Sequence, residues 1–502
     1  MRPMAYPERA VGERAPLYEQ VAARIATLVE RGTFRPGERV PSIRRLSGEM
    51  QVSVNTVKEA YRSLEVRRVI EARPQSGYYV CVRLPEVPAD PEVPVRELRP
   101  TTVSTGELVE RLVKDISNPS LVQLGATIPD PSLLPVERLN RMLAAQLRRH
   151  GIAGVSYAVP PGWGRLREQL SQRLLQAGCT VRPDEIVVTS GCLEAVGLAL
   201  RATCRPGDTV AAESPTYYSF LQLIETLGLR ALEIPSTPRE GISLEALRYA
   251  LDNTRVSACL VIPNFSNPLG GQMPERRKRE LVELLRDREV PLIEDDIYAE
   301  LAFADRRPSA AKAHDREGNV LLCSSVTKTL APGYRVGWIV PGRFQTQVER
   351  LKMLTNIATA TPPQLAIAEF LANGGYDRHL RTVRRAYADR VAQLGEAIGR
   401  HFPTGTRVTR PKGGYSLWVE MPGAADSVEL YHQALGENIT IAPGPVFSAS
   451  GRFRNCVRLN AGTWSERAAR AVETLGRLVH GQLGRSPESR GIPSRDVRRR
   501  GW

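Results

Sequence analysis

From about residue 104 to residue 480 the sequence alternates two kinds of segment, and that alternation limits the fold more than any other feature. Runs such as EIVVTS, ACLVIP, VPLIED and NVLLCS are short, β-rich and bounded by turn residues. Between them lie stretches such as PERRKRELVELLRDRE, with apolar residues at helical spacing. A strand apolar on both sides must be covered on both sides, so the pattern predicts an α/β fold with a mostly parallel sheet. In such a sheet, ligands bind in the crevice outside the carboxyl ends of the strands.

A second feature divides the chain. Residues 82–103, VRLPEVPADPEVPVRELRPTTV, hold five prolines and little apolar periodicity, which marks an extended linker. The expected order is a first domain at 14–82, a linker at 83–103, the α/β domain at 104–482 and a basic, disordered tail at 483–502. At 502 residues, 42% hydrophobic and 25% charged, the composition is that of a soluble multidomain protein. No apolar run approaches the roughly 20 residues of a membrane span, and the N-terminus shows no signal-type stretch, so a cytoplasmic location is expected. The seven cysteines form no CxxC pair and the six histidines do not cluster with them, which argues against structural zinc and a disulfide framework. Of the net charge of +15, residues 1–83 contribute +6 and the stretch 485–502 contributes +4. That concentration at the ends points to a polyanionic partner there.

In the first domain, Leu17, Val21, Ile25, Leu28 and Val29 recur at helical spacing before FRPGERVPS breaks the pattern. Ser42 and Ser53 are placed to cap two further helices, the second with Val57, Tyr61 and Leu64 inward and Asn55, Thr56 and Lys58 outward. VIEARPQSGYYVCV then reads as two strands about a turn, a wing behind a helix-turn-helix. PLYEQVAARI, FRPGERVPSIRRLSGEMQVSVNTVKEAYRSLE and SGYYV resemble the GntR-type winged helix in order and spacing. The resemblance implies operator DNA as a partner, with Arg44 and Arg45 on the backbone. It places Ser53, Asn55, Thr56 and Lys58 toward the major groove and Gln75, Ser76 and Gly77 on the wing. Many members have an arginine after the serine of the VS pair; here the residue is Val54, so one usual base contact is missing.

The second domain has few lysines to choose among. An aldehyde cofactor needs a lysine for an imine, donors for its phosphate and a carboxylate for its ring nitrogen. Of seven lysines, only Lys328, in LLCSSVTKTLAPGYRVGW, follows a β-run with a hydroxyl (Ser325) three residues before and a guanidinium (Arg335) seven after. VPLIEDDIYAEL ends a strand in Asp295 with Tyr298 at D-x-x-Y spacing, although paired acids can also be a solvated strand end. Asn267 sits in the Pro/Gly turn of IPNFSNPLG, suited to a ring hydroxyl. Tyr217 follows a strand, where an aromatic can stack. Ser190-Gly191-Cys192 lead from a strand into a helix whose N–H groups can cradle phosphate.

This ordered set resembles the fold-type I aminotransferases from about residue 120 to 480. The resemblance implies pyridoxal 5'-phosphate bound at Lys328, with Asp295 on the pyridine nitrogen, Tyr298 and Asn267 on the 3-hydroxyl, and Tyr217 stacked. Ser190, Gly191, Cys192, Ser325 and Arg335 would bind phosphate, and Tyr157 would reach the partner subunit's phosphate. Arg458, in NCVRLNAG, would hold an α-carboxylate, with the Gly125 backbone close to it. NPLG replaces the commoner NPTG, and Cys192 occupies the phosphate turn. The two halves together resemble the MocR/GabR subfamily of GntR regulators, which implies a homodimer, head-to-tail. Three functions are compatible with these residues. First is a regulator sensing an amino acid or amine through aldimine chemistry at Lys328; the others are a working aminotransferase with an auxiliary DNA-binding domain and a sensor of the cofactor itself. No metal is expected.

Overall fold

The computed structural model describes residues 16–30, 33–34, 37–66, 69–73, 76–80, 89–91, 98–103, 106–115 and 118–484. It divides into two compact units, 1–87 and 88–502. Gln75 and the tail from 485 onward lie outside the described residues.

The first unit contains α1 (Leu17–Glu30), α2 (Ile43–Met50), α3 (Val54–Val66), β1 (Ile70–Arg73) and β2 (Gly77–Val80). Val21, Ile25 and Val29, four residues apart along α1, meet Leu46, Val57, Tyr61 and Leu64 in one buried core. Leu17, expected on the same stripe, is the first helical residue and stays exposed. Each fully buried side chain of this size contributes about 1.5–3 kcal/mol, and a unit this small depends on that single cluster. Ser42 caps α2 by accepting from the Arg45 N–H at 3.3 Å, and Gln51 ends it in a left-handed conformation with φ 52°. Ser53 Oγ then accepts from the Thr56 N–H at 3.0 Å and starts α3 after a tight turn. β1 and β2 pair antiparallel, Ile70 opposite Val80 and Arg73 opposite Gly77. Two helices at a tight turn followed by a hairpin make a winged helix-turn-helix.

The second unit is built on a nine-stranded mixed sheet. Its strand order is Thr101–Thr102, Arg230–Thr237, Thr209–Ser214, Ala258–Val261, Leu292–Asp295, Val320–Ser325, Gly337–Val340 and Val187–Thr189, with Gly241–Ile242 added beside Arg230–Thr237. The five central long strands run parallel, and Gly337–Val340 runs antiparallel to both of its neighbours. Alternate residues of one strand enter different cores: Leu292 and Val320 join one cluster, Ile293 and Leu321 another. This two-sided burial is why these runs read as continuously apolar. The end of the expected linker departs from a free segment. Thr101–Thr102 pair with Arg230–Ala231 at the sheet edge, and the Ala89 carbonyl accepts from the Val408 N–H at 3.0 Å. Open edges offer backbone partners that proline spacing does not reveal.

A smaller antiparallel sheet follows, in the order Arg407–Val408, Ser416–Glu420, Cys456–Asn460, Ala442–Pro443. The helices Gly375–His401 and Glu466–Leu483 pack together beside it. Val122–Gln123 pair in parallel with Ile439–Thr440, which brings Gly125 against Ile441. A Cβ on Gly125 would stand 2.8 Å from the Ile441 carbonyl carbon, so only glycine fits this approach. Among the described residues, no helix is long and apolar enough to cross a membrane.

Candidate functional site

Parallel strands deliver their last residues to one rim of the sheet. There the carboxyl ends of Leu292–Asp295 and Val320–Ser325, the turn before the helix Cys192–Thr203 and the loop carrying Asn267 enclose a cleft of about 200 Å³. Lys328, Asp295, Asn267, Tyr298, Tyr217, Cys192 and Arg335 all line it.

Lys328 is half-buried, and its Nζ donates to the Thr127 carbonyl at 2.7 Å. Burial pushes its ammonium down to about 8, reinforced by Arg458 and Arg335 and opposed by Asp295. The amine is therefore much easier to free of its proton than a lysine in water. Asp295 is buried, and burial raises its carboxyl to about 6 against the Cys192 thiol at 3.2 Å and the Ile297 N–H at 2.9 Å, both donating to Oδ1. Near neutral pH this faces an ionised carboxylate with an ammonium that gives up its proton about one pH unit higher, across one small cavity. Asp296 faces other partners. Its carboxylate accepts from Asn264 Nδ2 at 3.0 Å and pairs with Arg307, so it is a structural anchor rather than a solvated strand end.

Arg335 adopts φ 52° and donates Nη2 to the Ser190 carbonyl at 3.2 Å and Nη1 to Thr327 Oγ1 at 3.3 Å. Gly191, at φ +100°, leaves room for that guanidinium; a Cβ there would collide with it. Ser190 Oγ lies 3.4 Å from Thr359 Oγ1. The Cys192 backbone opens the helix as expected, but its thiol turns to Asp295. Ser325 is buried at its strand end and accepts from the Thr327 N–H at 3.2 Å. Tyr217 stacks edge-on with Phe220 at 5.4 Å, and Tyr298 packs against Tyr415 at 5.9 Å.

Arg458, fully buried on Cys456–Asn460, donates Nη1 to Asn267 Oδ1 at 2.9 Å and Nη2 to the Gly125 carbonyl. Its Nε has no hydrogen-bond partner among the described residues. Phe447 and Tyr218 lie at 5.0 and 5.8 Å from its guanidinium, supports that only folding reveals. Tyr157 stands apart, 76% exposed. The Thr127 carbonyl and Thr327, missed in the sequence, carry no motif beyond lying two residues after Gly125 and one before Lys328.

On the first unit, Arg44, Arg45, Ser53, Asn55 and Lys58 are exposed and Thr56 is half-buried. Arg45 pairs with Glu49 at 2.7 Å. Ser76 Oγ lies 2.7 Å from Tyr79 OH. Gly77 has φ +109°, and a Cβ there would lie 3.1 Å from the Arg39 guanidinium.

Comparison with known proteins fits this geometry. Residues 140–475 match the family "Aminotransferase class I and II", and residues 17–80 match "Bacterial regulatory proteins, gntR family". The uncharacterized HTH-type transcriptional regulator YdcR of Escherichia coli K12 is 39% identical over 467 residues, covering 93% of this chain and 99% of its own. A 2-aminoadipate transaminase of Thermus thermophilus is 32% identical over 381 residues, 75% of this chain and 94% of its own. The crystal structure of LysN, an α-aminoadipate aminotransferase from Thermus thermophilus complexed with N-(5'-phosphopyridoxyl)-L-leucine, is similar at TM-score 0.70 and 30% identity. That similarity covers 76% of this chain and 96% of that one. The chain belongs to the gntR family of bacterial regulatory proteins, and within it to the MocR regulators, in which a helix-turn-helix unit is fused to an aminotransferase class I and II domain.

Proposed function

We propose that the chain is a pyridoxal 5'-phosphate-dependent, DNA-binding transcription regulator that senses an amino acid or amine, or the cofactor itself, through Lys328. One observation carries this reading: the polypeptide that holds the helix-turn-helix also brings Lys328, Asp295 and Arg335 to a single cleft. The donor set suits the cofactor, since Gly191 keeps the phosphate turn open beside Arg335 and Arg458 Nε is buried with a donor to spare.

Bound there, the aldehyde would supply an electrophilic carbon and its ring an electron sink. Lys328 would contribute the amine, whose proton burial makes easier to remove. Asp295 would hold a proton at the ring nitrogen, Asn267 and Tyr298 would orient the 3-hydroxyl, and Tyr217 would cover a ring face. The Ser190–Cys192 turn, Ser325 and Arg335 would hold the phosphate. Arg458, with the Gly125 backbone beside it, would take the α-carboxylate of an amino acid in a bidentate pair.

A second copy of the chain completes the site in this reading. Ile152, Val155 and Tyr157 are 82, 83 and 76% exposed, unusual for large apolar side chains clustered in one segment. Thr361 Oγ1 ties that segment down, donating to the Ser156 carbonyl at 2.7 Å and accepting from the Ala158 N–H at 3.2 Å. Tyr157 would then serve the partner's phosphate. A ligand held more tightly in one arrangement of the two units than in another would change operator affinity by that difference.

Reconstituted native protein should turn yellow and Lys328→Ala should stay colourless. Operator affinity of the loaded protein should change when an effector amine is added. Colour retained by the alanine variant, or none in the native chain, refutes the reading. The resemblance to the 2-aminoadipate transaminase supports a second reading, a working aminotransferase. Steady-state turnover with 2-oxoglutarate at about 1 s⁻¹ or more favours it.

A further inference from the structure

The four side chains expected to face the major groove from α3 are not equally available. Ser53 Oγ accepts from the Thr56 N–H at 3.0 Å and lies 2.8 Å from Thr56 Oγ1. The Ser53 hydroxyl thus caps the helix, and the Thr56 hydroxyl is engaged with it. The side chains of Asn55 and Lys58 have no hydrogen-bond or ion-pair partner among the described residues. Buried Val57, Ala60, Tyr61 and Leu64 fix the inner face of α3, so residues 54, 55 and 58 point outward together. Val54 is therefore an exposed apolar side chain, 46% accessible, set between polar groups on the helix's reading end.

Among the described residues of this unit, the other exposed large apolar side chains, Leu17 and Val66, lie at the start of α1 and the far end of α3. Of the base edges in the major groove, only thymine presents an apolar group, its C5-methyl. We propose that Val54 reads the C5-methyl of a thymine and so fixes one base of the operator. This rests on the DNA-binding role of the first unit and names its specificity at one position. The γ-methyls of valine, stiff at χ1, give a preformed contact with little ordering to do.

The test uses the full-length protein and a random duplex pool. Sequences it enriches are resynthesised with each thymine in turn replaced by deoxyuridine, which removes the methyl alone. For native protein, one position per half-site should lose about fourfold in affinity, the worth of one methyl group. For Val54→Ala that loss should vanish, and for Val54→Thr, which keeps one γ-methyl, it should persist in part. Val54→Arg should shift enrichment at the same position from thymine to guanine. Circular dichroism of each variant matching native protein shows that the helix is intact. Equal deoxyuridine losses for native and Val54→Ala at every position overturn the proposal. Failure of the native chain to enrich any sequence overturns the DNA-binding role and this inference with it.

Discussion

Replacing Arg458 with lysine separates recognition of a carboxylate from recognition of an amine. The arginine is fully buried, and its two terminal nitrogens already bridge Asn267 Oδ1 at 2.9 Å and the Gly125 carbonyl. Guanidinium has five N–H donors in a rigid fork, enough to keep both bonds and still face a carboxylate with two parallel donors. A lysine ammonium has three donors at one point and cannot span Asn267, Gly125 and a ligand together. At least one charge-assisted hydrogen bond to the ligand is lost, worth about 1.5–3 kcal/mol, or roughly 10- to 150-fold in affinity. An amine without a carboxylate never makes that bond, so its affinity should change less than about threefold, under 0.7 kcal/mol. The assay is a titration of cofactor-loaded Arg458→Lys and native protein, followed by cofactor absorbance, with amino acids and the matching decarboxylated amines. Equal losses for both series, or none for the amino acids, would show that Arg458 does not hold the carboxylate.

Cofactor uptake by cofactor-free protein should accelerate with pH and level off near 8, where burial has placed the Lys328 ammonium, rather than climb toward 10.5. Because the folded pKa lies below the unfolded one, the unfolded chain binds more protons between these values. Lys328 should therefore contribute stability that grows as pH rises through that window, read in denaturant titrations as the difference in slope between native cofactor-free protein and Lys328→Met. Gly191→Ala places a side chain at φ +100° against Arg335, strain of about 1–3 kcal/mol. Equilibrium dialysis should find cofactor held roughly 5- to 150-fold more weakly, and native affinity would remove Arg335 from the phosphate site. The double variant Ile152→Asp, Val155→Asp should sediment as a monomer where native protein sediments as a dimer; an unchanged boundary would mean that this segment faces water.

The α/β class and the helix-turn-helix could be read from the sequence because each rests on short-range pattern. Leu292 and Ile293 enter different cores, and that two-sidedness is written in a run of apolar letters. Asp295 and Lys328 could be found because a strand end and a loop are local events, marked by LIED and by SSVTK. Contacts between distant segments left no such trace. The Thr127 carbonyl meets Lys328 across 201 residues, and the Cys192 thiol meets Asp295 across 103. Asp296 and its neighbour are both acids at a strand end, yet one lines the cleft while the other is clamped by Arg307. Nothing in their spacing distinguishes them. Ser53 and Thr56 fit a reading face by pattern, yet Ser53 also caps the helix and Thr56 bonds to it, a local engagement decided by backbone geometry.

The hydrogen bond between Asn267 and Arg458 has a consequence for how such a chain would meter its surroundings. In the function proposed above, Asn267 would serve the vitamin-derived group and Arg458 the metabolite, and neither can turn without breaking the bond between them. Whatever factor the first ligand adds to the grip on the second, the second adds to the grip on the first. Where that factor exceeds one, a cell short of that vitamin would register the same metabolite concentration as a fainter signal.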